Sequence, residues 1–357
     1  MARWRVRSFA FPSAYDPFHA TVGAGRVIPG LHSIVGVKAQ ATYDTIRIGT
    51  VSAARDNEGN WMGWRPNAQA APIAFENHLV TLGLTNLDAP TSKNIVNFSG
   101  GRTSLWHLLA DGSVLMASER GVLPGSFEVS WEKDHKFTGV NKVVATPGPN
   151  GSFRAMFLKD DGTVWANGHT FYQGWLLVEG TAAEKKLSPT ADARFAPVRL
   201  QALSHVRDIA AYWPSESLGK GVALLDDGSV MWFKLDASLP DTAVSNLAVA
   251  RVDRIKGARH VAAGAWGVGV VDAEGKVWVW GNNPDVRDPN NRLMTGFRGG
   301  APAGANDDEP TQVPGLTDVL DIDFSTAFAG ALRADGTVWV WNGQTPVKIF
   351  DGVKLAP

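Results

Sequence analysis

A hairpin phrase recurs along almost the whole of this chain, and it constrains the possible folds more than any other feature. Five segments align by eye: 104–116 (SLWHLLADGSVLM), 154–166 (RAMFLKDDGTVWA), 221–233 (GVALLDDGSVMWF), 267–281 (GVGVVDAEGKVWVWG) and 329–343 (AGALRADGTVWVWNG). A weaker sixth copy spans 50–64 (TVSAARDNEGNWMGW). Their anchor glycines, Gly59, Gly112, Gly162, Gly228, Gly275 and Gly336, stand 53, 50, 66, 47 and 61 residues apart. A period of about 55 residues exceeds that of short solenoid repeats and suits a propeller blade of four strands.

Each copy carries the same local physics. An apolar strand enters, an Asp-Gly type turn follows, and a strand rich in Val and Trp leaves. Asp111-Gly112, Asp161-Gly162, Asp227-Gly228 and Asp335-Gly336 supply the residues of positive φ that two-residue hairpin turns require. Glu58-Gly59 and Glu274-Gly275 are variants. After the turn, Val277 and Val279 alternate with Trp278 and Trp280, and Val338 and Val340 with Trp339 and Trp341. Such alternation predicts a strand buried between neighbouring sheets, with these tryptophans and Trp165 in the core. Upstream of the hairpins lies a second phrase, seen at 26–40, 196–211, 250–265 and 311–325. It reads as an outer strand, a bend and an inner strand.

Together these phrases resemble the regulator-of-chromosome-condensation repeat, P-x-x-V / V-x-x-[IV]-x-x-G / apolar-x-x-x-DG-x-V-[WY]-x-W-G. The match is fullest over 261–281, then over 331–343, and the likeness extends over roughly 31–357. The copies around Gly59 and Gly112 lack the Trp-Gly ending. The resemblance implies an all-β chain forming a single domain, 1–357, folded as a seven-bladed β-propeller of four-stranded blades. Six hairpins make seven blades only if the ends join. The tail, 345–357, reads as an outer strand and the start of an inner one. The head, 2–11, supplies strands with no inner partner. Pairing of these N- and C-terminal strands closes the ring and hides two sheet edges. A six-bladed ring is the alternative.

The long connections are expected on one face. Strand direction alternates within a blade, so links between strands one and two, and three and four, share an end of the ring. The segments 167–194 and 282–312 are the longest, with 120–138, 235–245, 146–151 and 212–219 as shorter versions. Rigid scaffolds commonly carry function on such loops. The candidate binding residues there are Phe171, Tyr172, Trp175, Tyr212, Trp213, Arg292, Phe297 and Arg298, because aromatic and arginine side chains are enriched at interfaces. Flat aromatics also stack on sugars, so a protein partner and a cell-surface glycan both suit them.

Other chemistry finds little support. Net charge is −1 and pI about 6.7, so no nucleic-acid partner is expected. The chain has no cysteine, which removes disulfides and thiolate metal sites. Eight histidines are scattered without H-E-x-x-H spacing, and no calcium-loop pattern occurs, so neither a metal nor a cofactor is expected. No nucleophile elbow or phosphate loop is present. Residues 160–165 approach a sialidase Asp-box, but their threonine stands one place early. No apolar run resembles a secretory signal or a membrane span. The expectation is a non-catalytic binding or scaffold protein, cytoplasmic or part of a virion. The alternatives are a virion or tail-associated receptor- or carbohydrate-binding protein, and a propeller hydrolase or lyase. Oligomeric state is left open.

Overall fold

The computed structural model describes residues 7–8, 26–27, 34–40, 51–56, 58, 61–64, 73–74, 95–100, 104–123, 126–134, 137–145, 155–167, 197–212, 218–236, 248–264, 267–281, 297–298, 309–324, 329–341 and 345–351. Every regular element among them is a β-strand. Among the described residues, six four-stranded sheets succeed one another in chain order, each antiparallel and paired in sequence order. Sheet one contains Ile34–Gln40, Val51–Asp56, Trp61–Trp64 and Ile73–Ala74. Sheet two contains Ile95–Gly100, Ser104–Leu109, Val114–Leu123 and Ser126–Asp134. Sheet three contains Val140–Ala145, Ala155–Lys159, Val164–Asn167 and Pro197–Arg199. Sheet four contains Val206–Tyr212, Leu218–Leu225, Val230–Asp236 and Ala248–Arg251. Sheet five contains His260–Ala263, Val268–Val271, Val277–Trp280 and Thr311–Gln312. Sheet six contains Val319–Phe324, Ala329–Arg333, Val338–Trp341 and Val347–Phe350.

The segment 120–138 is largely strand rather than connector. Its pair runs from Val114 to Leu123 and resumes from Ser126 to Asp134. The alternation of Phe127, Val129 and Trp131 with Glu128, Ser130 and Glu132 is the period of two that a strand demands.

The hairpins also differ from the expected two-residue turn. Gly112, Gly162, Gly228, Gly275 and Gly336 have φ of 73°, 73°, 79°, 74° and 78°. Each glycine N–H, however, donates to the carbonyl three residues back, as Gly162 does to Lys159 at 2.9 Å. The strand pair then resumes one residue later, with Lys159 N–H donating to Thr163 C=O at 3.0 Å. The connection is therefore three residues long and ends on a left-handed glycine. Gly59 lies outside the described residues.

Among the described residues, four apolar clusters each fill the space between two successive sheets. Trp106, Leu108, Val143 and Phe157 join sheets two and three. Met156, Val164, Ile209 and Phe233 join three and four. Tyr212, Trp232, Val270 and Trp280 join four and five. Val279, Ile322, Phe324 and Trp341 join five and six. A sheet covered on both faces has no wet side. That is why Val268–Val271 is buried at every position instead of alternating. Each fully buried Val, Leu or Phe contributes roughly 1.5–3 kcal/mol.

Successive sheets are also tied by backbone. The turn carbonyls of Gly112, Gly162, Gly228 and Gly275 accept from the amides of Val140, Val206, Ala258 and Val319 at 3.0, 3.1, 2.9 and 3.0 Å. Each turn is thus fastened to the entry of the next sheet. At the ends of the described chain, Arg7–Ser8 pairs with Arg26–Val27, and Val347–Phe350 pairs with Val338–Trp341. These described parts of the head and tail pair with their own chain neighbours and not with each other, and the rest of the head-to-tail pairing expected from the sequence falls on residues outside the described set.

Candidate functional site

The antiparallel order gives every sheet two unlike ends. The three-residue turns and the links to the next sheet leave from one end, and the connections 168–196, 237–247 and 281–310 leave from the other. Of the residues proposed for the connector face, Phe171, Tyr172, Trp175, Trp213 and Arg292 lie outside the described residues. The other three are corrected by burial.

Tyr212 ends the first strand of sheet four and is 0% exposed. Its hydroxyl donates to the Gly281 carbonyl. Gly281 holds φ 89°, and a Cβ there would collide with the tyrosine ring. The Trp-Gly ending of sheet five is a cradle for Tyr212, so this tyrosine is core. Phe297 is 2% exposed and packs edge-on against Phe324 with ring centroids 4.9 Å apart. Its carbonyl accepts from Trp341 Nε1 at 2.6 Å. Part of the connector thus folds back and satisfies a buried indole N–H that would otherwise cost free energy. Arg298, the next residue, is also buried. These three side chains hold the scaffold rather than offer an exposed contact.

At the opposite end the structure assembles polar residues that the sequence reading left scattered. The first strands of sheets two, three, four and six begin with an apolar residue, and two positions on stand Asn97, Lys142, Asp208 and Asp321; in sheet five His260 opens the strand, two positions after Ala258. Bulges separate Ile95 from Asn97, Val140 from Lys142, Val206 from Asp208 and Val319 from Asp321. A bulge turns the strand locally and re-aims the side chain that follows it. The intervening Val96, Asn141, Arg207 and Leu320 are exposed.

Four of these side chains form a continuous line across four sheets. Lys142 Nζ donates to Asp208. His260 Nδ1 lies 3.9 Å from Asp208 Oδ2. His260 Nε2 lies 3.0 Å from Asp321 Oδ1 and 3.2 Å from the Ile322 carbonyl. Burial pushes the His260 pKa down, but the hydrogen bond and charge of Asp321, with the charge of Asp208, outweigh it and raise the value above its ordinary range. Burial pushes the Asp321 carboxyl up, and the bond and charge of His260 bring it below the usual carboxylate range. The Asn97 side-chain carbonyl oxygen, in the same register one sheet earlier, has no hydrogen-bond partner among the described residues. No group of three or more histidine and carboxylate side chains among the described residues is arranged to hold a metal ion.

One imidazole nitrogen lies within hydrogen-bond distance of Asp321 and the Ile322 carbonyl and the other faces Asp208, so the line bridges successive sheets. The signal for it was available in the sequence. Aligning the phrases Ile-Val-Asn97, Val-Asn-Lys142, Val-Arg-Asp208, Ala-Arg-His260 and Val-Leu-Asp321 gives one polar column beside apolar ones.

Successive antiparallel four-stranded sheets, packed face to face and stapled turn to strand, are the architecture of β-propeller blades, and the solved structures that share this fold are RCC1-like. The chain is similar to human WBSCR16, with a TM-score of 0.59 at 17% identity over 98% of this chain and 94% of that one. It is similar to yeast RCC1 (Prp20) as bound to Kap60, with a TM-score of 0.57 at 15% identity over 98% and 84% of the two chains. It is also similar to Prp20p from Saccharomyces cerevisiae, with a TM-score of 0.54 at 16% identity over 96% and 82%. At these identities the likeness carries the fold. No protein-family profile matches the sequence. No curated protein sequence matches it.

Proposed function

We propose that this protein is a non-catalytic β-propeller that binds a protein partner through the end of the ring bearing its long connectors. The observation that carries this reading is the asymmetry of the sheets. In sheets two to five one end carries three-residue turns fastened to the next sheet, and the other end bears connections of up to about thirty residues. Structural neighbours are in keeping with it: yeast RCC1 is seen bound to Kap60, and Prp20p has binding properties towards Gsp1p and histones. The same reading takes the ring as seven-bladed, with head and tail supplying the last blade.

The test is a partner isolated by affinity capture and then titrated calorimetrically. Replacing Trp175, Trp213 and Arg292 by alanine together is expected to weaken its binding by more than 2 kcal/mol, as at interface hot spots. Lys276→Ala, at the turn end, is expected to leave binding unchanged. Affinity that survives the triple replacement but falls with Lys276→Ala overturns the assignment of the face.

A further inference from the structure

We propose that His260 is a protonation-operated clamp that joins sheets four, five and six at the turn end of the inner strands. The clamp holds while the imidazole carries both protons and loosens when one is lost. The argument is geometric. His260 sits on the first strand of sheet five, Asp208 on that of sheet four and Asp321 on that of sheet six. One ring nitrogen faces each carboxylate, at 3.9 and 3.0 Å. A neutral imidazole has one N–H and one lone pair. If Nε2 keeps the proton, the Nδ1 lone pair faces the Asp208 carboxylate. If Nδ1 keeps it, the Nε2 lone pair faces both Asp321 and the Ile322 carbonyl. Either tautomer turns one attractive arm into a repulsive one, and only the imidazolium satisfies both.

The other charged groups around the ring leave this balance in place. Lys142, on sheet three, is engaged with Asp208. Arg207 is turned aside, donating to the Ala258 carbonyl at 2.6 Å. Asp323, two residues beyond Asp321, accepts from the Phe324 amide at 2.8 Å. Asp272, on the same sheet as His260, is occupied by the Glu274 and Lys276 amides and by the Trp278 indole. The raised pKa of His260 agrees with a site built for the cation. Such a group contributes its full stabilisation below its unfolded pKa of about 6.5, and the contribution is lost as pH rises through the higher folded value. The clamp lies at the end opposite the proposed binding face and stands independently of that reading.

The experiment follows the His260 Cε1–H resonance of the whole chain through a pH titration and the melting temperature over about pH 5.5–8.5, the range in which histidine changes charge. The wild-type midpoint is expected above about 6.5. Asp321→Asn, which keeps shape and removes charge, is expected to bring it below that value, because burial then dominates. The wild-type melting temperature should fall by about 2–4 °C as pH rises through the midpoint, a size-appropriate effect for one such contact. His260→Asn should abolish that fall. A wild-type midpoint at or below 6.5, or one unmoved by Asp321→Asn, overturns the proposal. So does a melting profile with the same slope in His260→Asn. If His260→Asn does not fold, the Asp321→Asn titration decides alone.

Discussion

Gly275 and Gly315 hold the same φ of 74°, yet their surroundings differ. A Cβ on Gly275 would lie 2.8 Å from Asp318 Cα and from the Val319 amide nitrogen, both backbone atoms of the next sheet's entry. A Cβ on Gly315 would meet nothing within 4 Å. Gly315→Ala therefore costs only the left-handed conformation, about 1–2 kcal/mol. Gly275→Ala adds a collision that the stapled backbone cannot relieve cheaply, for a total of about 2–4 kcal/mol. Urea midpoints of the two variants check the order, and equal midpoints would show that the staple yields. The turn glycines were legible because an Asp-Gly step announces its own conformation. The left-handed residues that open sheets four and six, His205 and Asp318, both at φ 55°, were not. Histidine and aspartate tolerate that region but do not demand it, and only the turn packed against each strand entry imposes it.

The hairpin works as a unit larger than its turn. In sheet three, Asp161 Oδ1 accepts from both the amide and the hydroxyl of Thr163, and the same hydroxyl accepts from Trp165 Nε1 at 2.9 Å. Sheet six repeats this with Asp335, Thr337 and Trp339. Sheet five lacks both the aspartate and the threonine at those places, and Asp272 takes over, accepting from the Lys276 amide and from Trp278 Nε1 at 2.8 Å. The tryptophan one turn past the glycine is thus half-buried and tethered, while Trp280 and Trp341 further on are buried. The hydroxyl and amide of Thr163 hold the Asp161 carboxyl below its usual range. The amide and hydroxyl of Ser229 do the same for Asp227, and those of Thr337 for Asp335. Carboxylates depressed in the fold contribute stability above their unfolded pKa, about 3.9, and lose it as pH falls through the native values. The urea midpoint is therefore expected to drop between about pH 5 and pH 3. Asp335→Asn should lower it at the upper pH and reduce the drop, and an identical acid profile in the variant would remove the turn carboxylates as its cause.

At the scale of the whole molecule the sheets are joined by a recurring entry phrase. Each described sheet from three to six is entered through the same motif: an apolar residue, one spacer, a left-handed residue and a Val or Ala. Phe137-Thr-Gly-Val140, Leu203-Ser-His-Val206, Ile255-Lys-Gly-Ala258 and Leu316-Thr-Asp-Val319 are the examples. Phe350-Asp-Gly-Val353 repeats it. The phrase thus recurs in the tail, its last two residues outside the described set, where the seven-bladed reading proposed above requires a strand entry. Removing 352–357 is expected to expose the outward face of sheet six and lower the melting temperature by several degrees or cause aggregation. An unchanged melting temperature would assign closure to other residues.

The repeats alone determined the strand order, the turn glycines and the end of each sheet from which the long connectors leave. These are consequences of local chemistry: side-chain alternation, left-handed glycine and the reversal of direction at each antiparallel pair all act within a few tens of residues. The tertiary structure decided which side chains meet across sheets. Tyr212 finds Gly281 69 residues away, Lys142 finds Asp208 at a separation of 66, and His260 finds the Ile322 carbonyl at 62. Those separations are about one repeat, so each contact depends on how neighbouring sheets stack. Stacking buried Tyr212, Phe297 and Arg298 in the scaffold and brought one polar residue from each of four inner strands into a single line.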